Sequence, residues 1–277
     1  MVTWCVMGNH FHLLVRIAPG SHSAAMAMEA PEVFERMAYI YSAPDVEEFR
    51  QVVERCANPE ERNQLLDPYR RRMASIADFM KGVKQRFARW YNLGTGRTGT
   101  LWEDRYHSVV LEGGGDVSQS GLGSLAKIVA AYIDLNPMRA GLASTPRELG
   151  LSGFSAACHG NAVALRGLAL LHGLPPPADT HGKSQTVVLH ERLLELEWRC
   201  FTARSGHTDS EEAKAVLRKA FSHSRVLGNE SYVRKYAGET KSGLPRRCRR
   251  LSSGSDQLLE REEKGELRIF GSKHPPK

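Results

Sequence analysis

Cysteine is scarce and scattered in this chain. Cys5, Cys56, Cys158, Cys200 and Cys248 are odd in number, far apart and include no Cys-x-x-Cys pair, so neither a thiolate zinc site nor a redox motif is expected and the thiols are read as reduced. There is no run of about eighteen apolar residues, and the N-terminus lacks a basic segment followed by an apolar stretch and a cleavage site. No membrane partner and a cytoplasmic location are therefore expected. Gly113-Gly114-Gly115 lacks the following Lys-Ser/Thr of a phosphate-cradling loop and is read as a hinge. No internal repeat is visible.

Positive charge is in excess. With 38 Lys and Arg against 31 Asp and Glu, the formal charge is +7, which points to an anionic partner because basic side chains gain by displacing counterions from a phosphate backbone. The 25% charged and 41% hydrophobic fractions are those of a globular protein, and 277 residues suffice for one elaborated domain or two modest ones.

Val2–Met7 and His10–Ile17 are expected to form two strands joined at Gly8-Asn9. From Ala30 to about Val83 apolar residues recur at helical spacing, with Pro44, Pro59 and Pro68 expected to divide the helices. A strand is expected over Trp102–Glu112, a loop over Gly113–Gly123 and a helix over Leu125–Asn136 stopped by Pro137. Further helices are expected over Ala156–Leu171, Leu189–Phe201 and Glu211–Phe221, around a Pro175-Pro176-Pro177 linker. A basic tail follows over Arg234–Arg250.

Successive strand residues alternate faces, so His10 and His12 should share one face while Phe11, Leu13, Val15 and Ile17 occupy the other. One face can then bury and the other bind. Two neutral imidazoles on one strand face can chelate a divalent ion, although His-x-His also occurs in half-exposed strands that hold nothing. The pair needs a partner. Tyr132 and Asn136 supply one, since positions four apart share a helix face and would project a phenol and an amide together. The helix around Phe79–Trp90 carries Lys81, Lys84, Arg86 and Arg89, and Arg97 and Arg105 follow. Interleaved with Trp90, Tyr91, Trp102 and Tyr106, these bases suit a single-stranded nucleic acid, charge tracking the backbone and rings stacking on bases. A solvated helix face with core aromatics would show the same pattern.

Four segments occur in order: Met7-Gly8-Asn9-His10-Phe11-His12, Lys84–Asn92, Gly99-Thr100-Leu101-Trp102-Glu103-Asp104-Arg105-Tyr106, and Tyr132-Ile133-Asp134-Leu135-Asn136-Pro137-Met138-Arg139-Ala140-Gly141. Together they resemble the REP-associated tyrosine transposases, single-tyrosine members of the HUH superfamily, over roughly Val2–Leu149. The resemblance implies an α+β fold, an antiparallel sheet flanked by helices with an HUH/ferredoxin-like core. Residues 1–150 would form the transposase domain with a helical insertion at about 30–75, and 151–277 a helical C-terminal extension with a basic tail. Family members carry a strand and a helix before the His-x-His hairpin, and this sequence begins inside that hairpin's first strand, so the core is expected to lack its N-terminal strand.

The implied activity is metal-dependent cutting and rejoining of single-stranded DNA at hairpin-forming repeats through a phosphotyrosine. Tyr132 would be the nucleophile, and His10, His12 and Asn136 the ligands of Mg²⁺ or Mn²⁺. Asn136 stands where related enzymes often have Gln, one methylene longer. Lys81, Lys84, Arg86, Arg89, Arg97 and Arg105 would contact single-stranded or hairpin DNA, and a homodimer fits the family. Two other readings use the same residues: a DNA- or RNA-hairpin-binding protein without catalysis, and a metal-dependent phosphodiesterase that does not use Tyr132.

Overall fold

The computed structural model describes residues 1–103, 105–112, 123–177, 184–204, 226–228, 232, 249–250 and 266–273. The chain mixes helix and strand and divides into two compact units, Met1–Ile17 with Trp102–Lys277, and Ala18–Leu101. Residues 18–101 thus leave the first unit after the second strand and return at Trp102. The loop expected at 113–122, the helix at 211–221 and most of the basic tail lie outside the described residues.

In the first unit, β1 (Thr3–Val6) and β2 (His10–Ile17) form the expected antiparallel hairpin, with Val6 opposite Phe11 and Thr3 opposite Leu14. The Met7 N–H donates to the His10 carbonyl at 2.8 Å and closes the turn. Further along, β3 (His107–Leu111) is shorter than the expected strand. Between β2 and β3 lies a strand from near the C-terminus, 266–273, antiparallel to both. Two short strands, β4 (Val226–Gly228) and β5 (Arg249–Arg250), extend the sheet beyond β3 in parallel pairing. Numbering 266–273 as β6, the order is β1-β2-β6-β3-β4-β5. The sheet is therefore antiparallel over its first four strands and parallel at its far edge, where a purely antiparallel sheet was expected.

Both faces of the hairpin are covered. Phe11 and Leu13 are buried on one, and Leu14 and Cys5, on the histidine side, are fully buried in the main core. The expected division into a buried face and an open binding face is corrected accordingly: α6 (Ser124–Asp134) lays Ala126, Val129, Ala130 and Ile133 into the same core as Leu14, Val109 and Leu111. The histidines lie at one end of a packed layer.

The helix expected to run through Asn136 ends at Asp134, and a separate short turn, α7 (Asn136–Arg139), begins there. Pro137 opens this turn instead of stopping the previous helix, because proline has no N–H to donate and fits a first helical turn, where none is needed. Leu135 keeps a right-handed backbone, φ −87° and ψ −4°, so the chain direction changes little. Helices α8 (Gly153–Cys158), α9 (Ala162–His172) and α10 (Gln185–Arg204) complete the unit. The single helix expected over 156–171 is split at Gly160, whose φ of 80° only glycine adopts readily. Asn161 then caps α9, its Oδ1 accepting from Val163 and Ala164 at 3.0 Å.

The elements around α6 meet at a buried carboxylate. Asp134 accepts from Thr3 Oγ1 at 2.8 and 3.0 Å, from the Phe154 N–H at 3.3 Å and from His190 Nε2 at 2.9 Å. Since a carboxylate only accepts, His190 Nε2 donates to it, and the other ring nitrogen, Nδ1, lies 3.1 Å from His172 Nε2. β1, α6, α8, α9 and α10 are tied in one chain of hydrogen bonds. Gly153 lets α8 approach, for a Cβ there would lie 3.0 Å from the Trp4 nitrogen.

The second unit is helical: α1 (Ser21–Met26), α2 (Ala30–Ala38), α3 (Ala43–Arg55), α4 (Pro59–Ala74) and α5 (Ile76–Thr95). Ser42, Asn58 and Ser75 accept backbone N–H groups at the starts of α3, α4 and α5. Val33, Phe34, Met37, Val46, Val53 and Leu66 form its core. Pro44 and Pro59 mark divisions between helices as expected, each standing in a first turn, but Pro68 lies inside α4 and does not end it. Arg70 bridges that weak point: Nη1 reaches back to Asn63 and Asp67, and Nε and Nη2 donate to the Met28 carbonyl at 2.9 and 2.6 Å.

Removing the Asp134 carboxylate strands a hydroxyl, an N–H and an imidazole donor in the core. Asp134→Ala is therefore expected to lower stability by about 3–5 kcal/mol, read from the urea midpoint of the full chain.

Candidate active site

The strand alternation sets His10 and His12 side by side, their ring centroids 5.0 Å apart and nearly perpendicular. Asn9 Oδ1 lies 2.7 Å from His10 Nδ1. An amide oxygen can only accept, so Nδ1 carries the proton and the lone pair resides on Nε2, the arrangement a metal-ligating histidine needs. Burial and the neighbouring His10 push the His12 pKa down to about 4. His12 is thus neutral at ordinary pH, with a lone pair to offer.

Tyr132 comes to this pair from α6. Its ring centroid lies 6.1 Å from that of His12, edge to face, so the nucleophile expected from the sequence and one of the expected ligands meet within a single chain. Asn136 follows at the first position of α7, partly buried, with its Nδ2 lacking a hydrogen-bond partner. An amide with one buried end unsatisfied can turn to present its oxygen. The donor types suit a divalent ion: two imidazoles, one oriented by Asn9 and one neutral, and an amide. Among the described residues no three His, Cys, Asp or Glu side chains group as a metal cage.

Two neighbours invisible from spacing alone share the face. Cys5 lies directly opposite His12, but burial and Asp134 push its thiol up to about 12, and a protonated thiol is a poor ligand. The second is His107, in register with Gly271 of β6, which is itself in register with His12. Cross-strand partners share a face, so His107 lies two strands from His12 with a glycine between. A signal for it existed, since the sequence places a histidine in the expected third strand, but only strand order brings it to this face.

Arg139, given no role by its place in the sequence, lies against the tyrosine. Its guanidinium carbon lies 4.7 Å over the Tyr132 ring and 5.0 Å from the Phe201 ring of α10, and Nη1 donates to the Tyr132 carbonyl at 3.1 Å.

The basic residues are divided between the units. Lys81, Lys84, Arg86 and Arg89 lie on α5 and Arg97 just beyond its left-handed Gly96 cap, in the second unit, whereas Arg105 precedes β3 in the first. All but Lys84 are exposed. The α5 aromatics were weighed as core, yet Trp90 is 67% exposed and Phe87 is exposed beside it, ring centroids 5.6 Å apart. This helix therefore presents rings and charges together.

No family model matches the chain, and neither curated proteins nor solved structures give a match. No described helix is long and apolar enough to cross a membrane.

The site's acid sensitivity follows from two neutral histidines. His12 and His172 both have pKa values pushed to about 4, the latter by burial, then by His190 and Lys127. Between pH 6.5 and 4 the unfolded chain binds protons that the folded chain refuses, so stability falls with falling pH, by up to about 1.4 kcal/mol per pH unit for each histidine. His172→Asn removes one titrating group and keeps an amide as hydrogen-bond partner for His190. Its urea-unfolding stability is expected to decline less steeply than the wild type over this range.

Proposed function

We propose that this chain is a metal-dependent single-strand DNA endonuclease and strand transferase of the tyrosine transposase type, acting on hairpin-forming repeats. One observation carries the reading: the Tyr132 ring, 6.1 Å from His12, stands against a strand whose two adjacent histidines are prepared as ligands. The order of the four sequence segments supports it, and the basic, ring-bearing face of α5 suits a nucleic acid. Since both groups belong to one chain, a second subunit is not required to complete the site.

His10, His12 and Asn136 would hold Mg²⁺ or Mn²⁺. When bound, the ion supplies Lewis acidity to the phosphodiester and offsets charge that builds in the transition state. Tyr132 Oη then forms a bond to phosphorus as the bond from phosphorus to the 3′ oxygen breaks. The phenol gives up one proton and the departing 3′ oxygen takes one, leaving a 5′-phosphotyrosine and a 3′-hydroxyl. Rejoining reverses the step: a 3′-hydroxyl attacks phosphorus and the phenol regains its proton. The ester bond is conserved on the protein, so no energy source is consumed.

The test uses a pool of end-labelled DNA hairpins with randomised single-stranded flanks, incubated with the full chain and Mn²⁺. A denaturation-resistant protein–DNA adduct is expected, reduced at least ~100-fold in Tyr132→Phe and in His12→Ala. Cleavage without an adduct would establish the phosphodiesterase instead, and binding without cleavage a non-catalytic hairpin-binding protein.

A further inference from the structure

Arg139 is an under-neutralised cation inside the site. It is partly buried between the Tyr132 and Phe201 rings, it makes no ion pair among the described residues, and one hydrogen bond, to the Tyr132 carbonyl, occupies a group with five donors. Its Nε is buried with no partner. A desolvated donor left unmatched costs stability, and a guanidinium costs more than a neutral group. Burial indeed disfavours its charge, offset in part by Tyr132 and Glu197. Structural arginines elsewhere in the chain do not look like this. Arg70 spends its donors on Met28, Asn63 and Asp67, and Arg147 makes a fork to Glu191 with both contacts at 2.8 Å.

We propose that Arg139 is the phosphate receptor of the site, its open guanidinium N–H groups donating to the oxygens of the backbone phosphate brought to Tyr132. The two rings hold the guanidinium plane, so its fork is oriented before the strand arrives, and guanidinium–phosphate pairing is the bidentate contact that this geometry suits. Through Phe201, α10 becomes part of the substrate site, giving the C-terminal helices a direct role. The inference rests on the DNA-strand reading above, and its test reads binding separately from catalysis.

In a Tyr132→Phe background, which keeps the ring and prevents turnover, affinity for the hairpin pool is measured against salt concentration for Arg139, Arg139→Met and Arg139→Lys. Arg139→Met is expected to weaken binding about 10–100-fold and to reduce the magnitude of the log–log salt slope by about 0.7, the value for one single-strand phosphate contact. Arg139→Lys, retaining charge without the fork, should restore the slope while forming adduct more slowly in the Tyr132 protein. Mn²⁺ affinity by calorimetry should match the parent in all three. An unchanged slope and affinity in Arg139→Met overturns the proposal, and so does equal impairment of the slope by Met and Lys, which would make Arg139 a clamp on the helix end only. Should Arg139→Met fail to fold, the Lys variant and methylphosphonate substitution of single phosphates decide: no neutralised phosphate that weakens the parent more than Arg139→Lys overturns it. Absence of any adduct with an Arg139-dependent slope intact would sink the transferase reading and leave the receptor standing.

Discussion

A carboxylate with no access to water has to be satisfied from within, and at Asp134 that requirement organises the whole first unit. Thr3 at the start of β1, the first turn of α8 and His190 on α10 each bring a donor to it. None can move away without leaving charge or a donor unpaired. Tyr132 lies two residues earlier on α6, so roughly 200° around the helix, and fixing Asp134 on one side directs Tyr132 to the other, where β2 carries His12. The distance between Tyr132 and the strand that carries His12 is thus set from behind, by a hydrogen-bond network on the opposite side of α6.

In front of that network the site is made from contrasting environments. Burial keeps His12 neutral and Asn9 orients His10, conditions for binding a cation. On the Tyr132 ring that reaches His12, Arg139 sets a guanidinium, the group that suits an anion. The proposed phosphodiester substrate, negatively charged as it approaches a bound cation, would need both. The burial of Cys5 and its proximity to Asp134 exclude a competing thiolate from the same face.

Much of the site was legible because its signals are local. Alternation at His10–Ile17 depends only on the geometry of an extended chain, and Tyr132 and Asn136 lie four residues apart whatever surrounds them. The cuts at Asn136 and Gly160 were harder to see, since they turn on which side of a helix boundary a proline falls and on a single positive φ. Pro68 misled for a related reason: its local cost is real, but Arg70, just beyond it, bonds back across it to Asn63 and Asp67 and out to Met28, 42 residues away. Nothing in the spacing of Asp134, His172 and His190 shows that they meet. The pairing of 266–273 with both β2 and β3 is likewise a long-range choice among strands of similar pattern.

By itself the sequence determined the hairpin, the shared face of its two histidines, the helical character of the middle and later segments, and the basic aromatic face of α5, all of them consequences of side-chain periodicity within one element. Tertiary structure alone decided that the histidine face would be packed instead of open, that Tyr132 would come to it, and that Arg139 would be held between rings from α6 and α10. These outcomes depend on burial shared among elements distant in the chain, where desolvation penalties and packing, and not local conformational preference, select the partner.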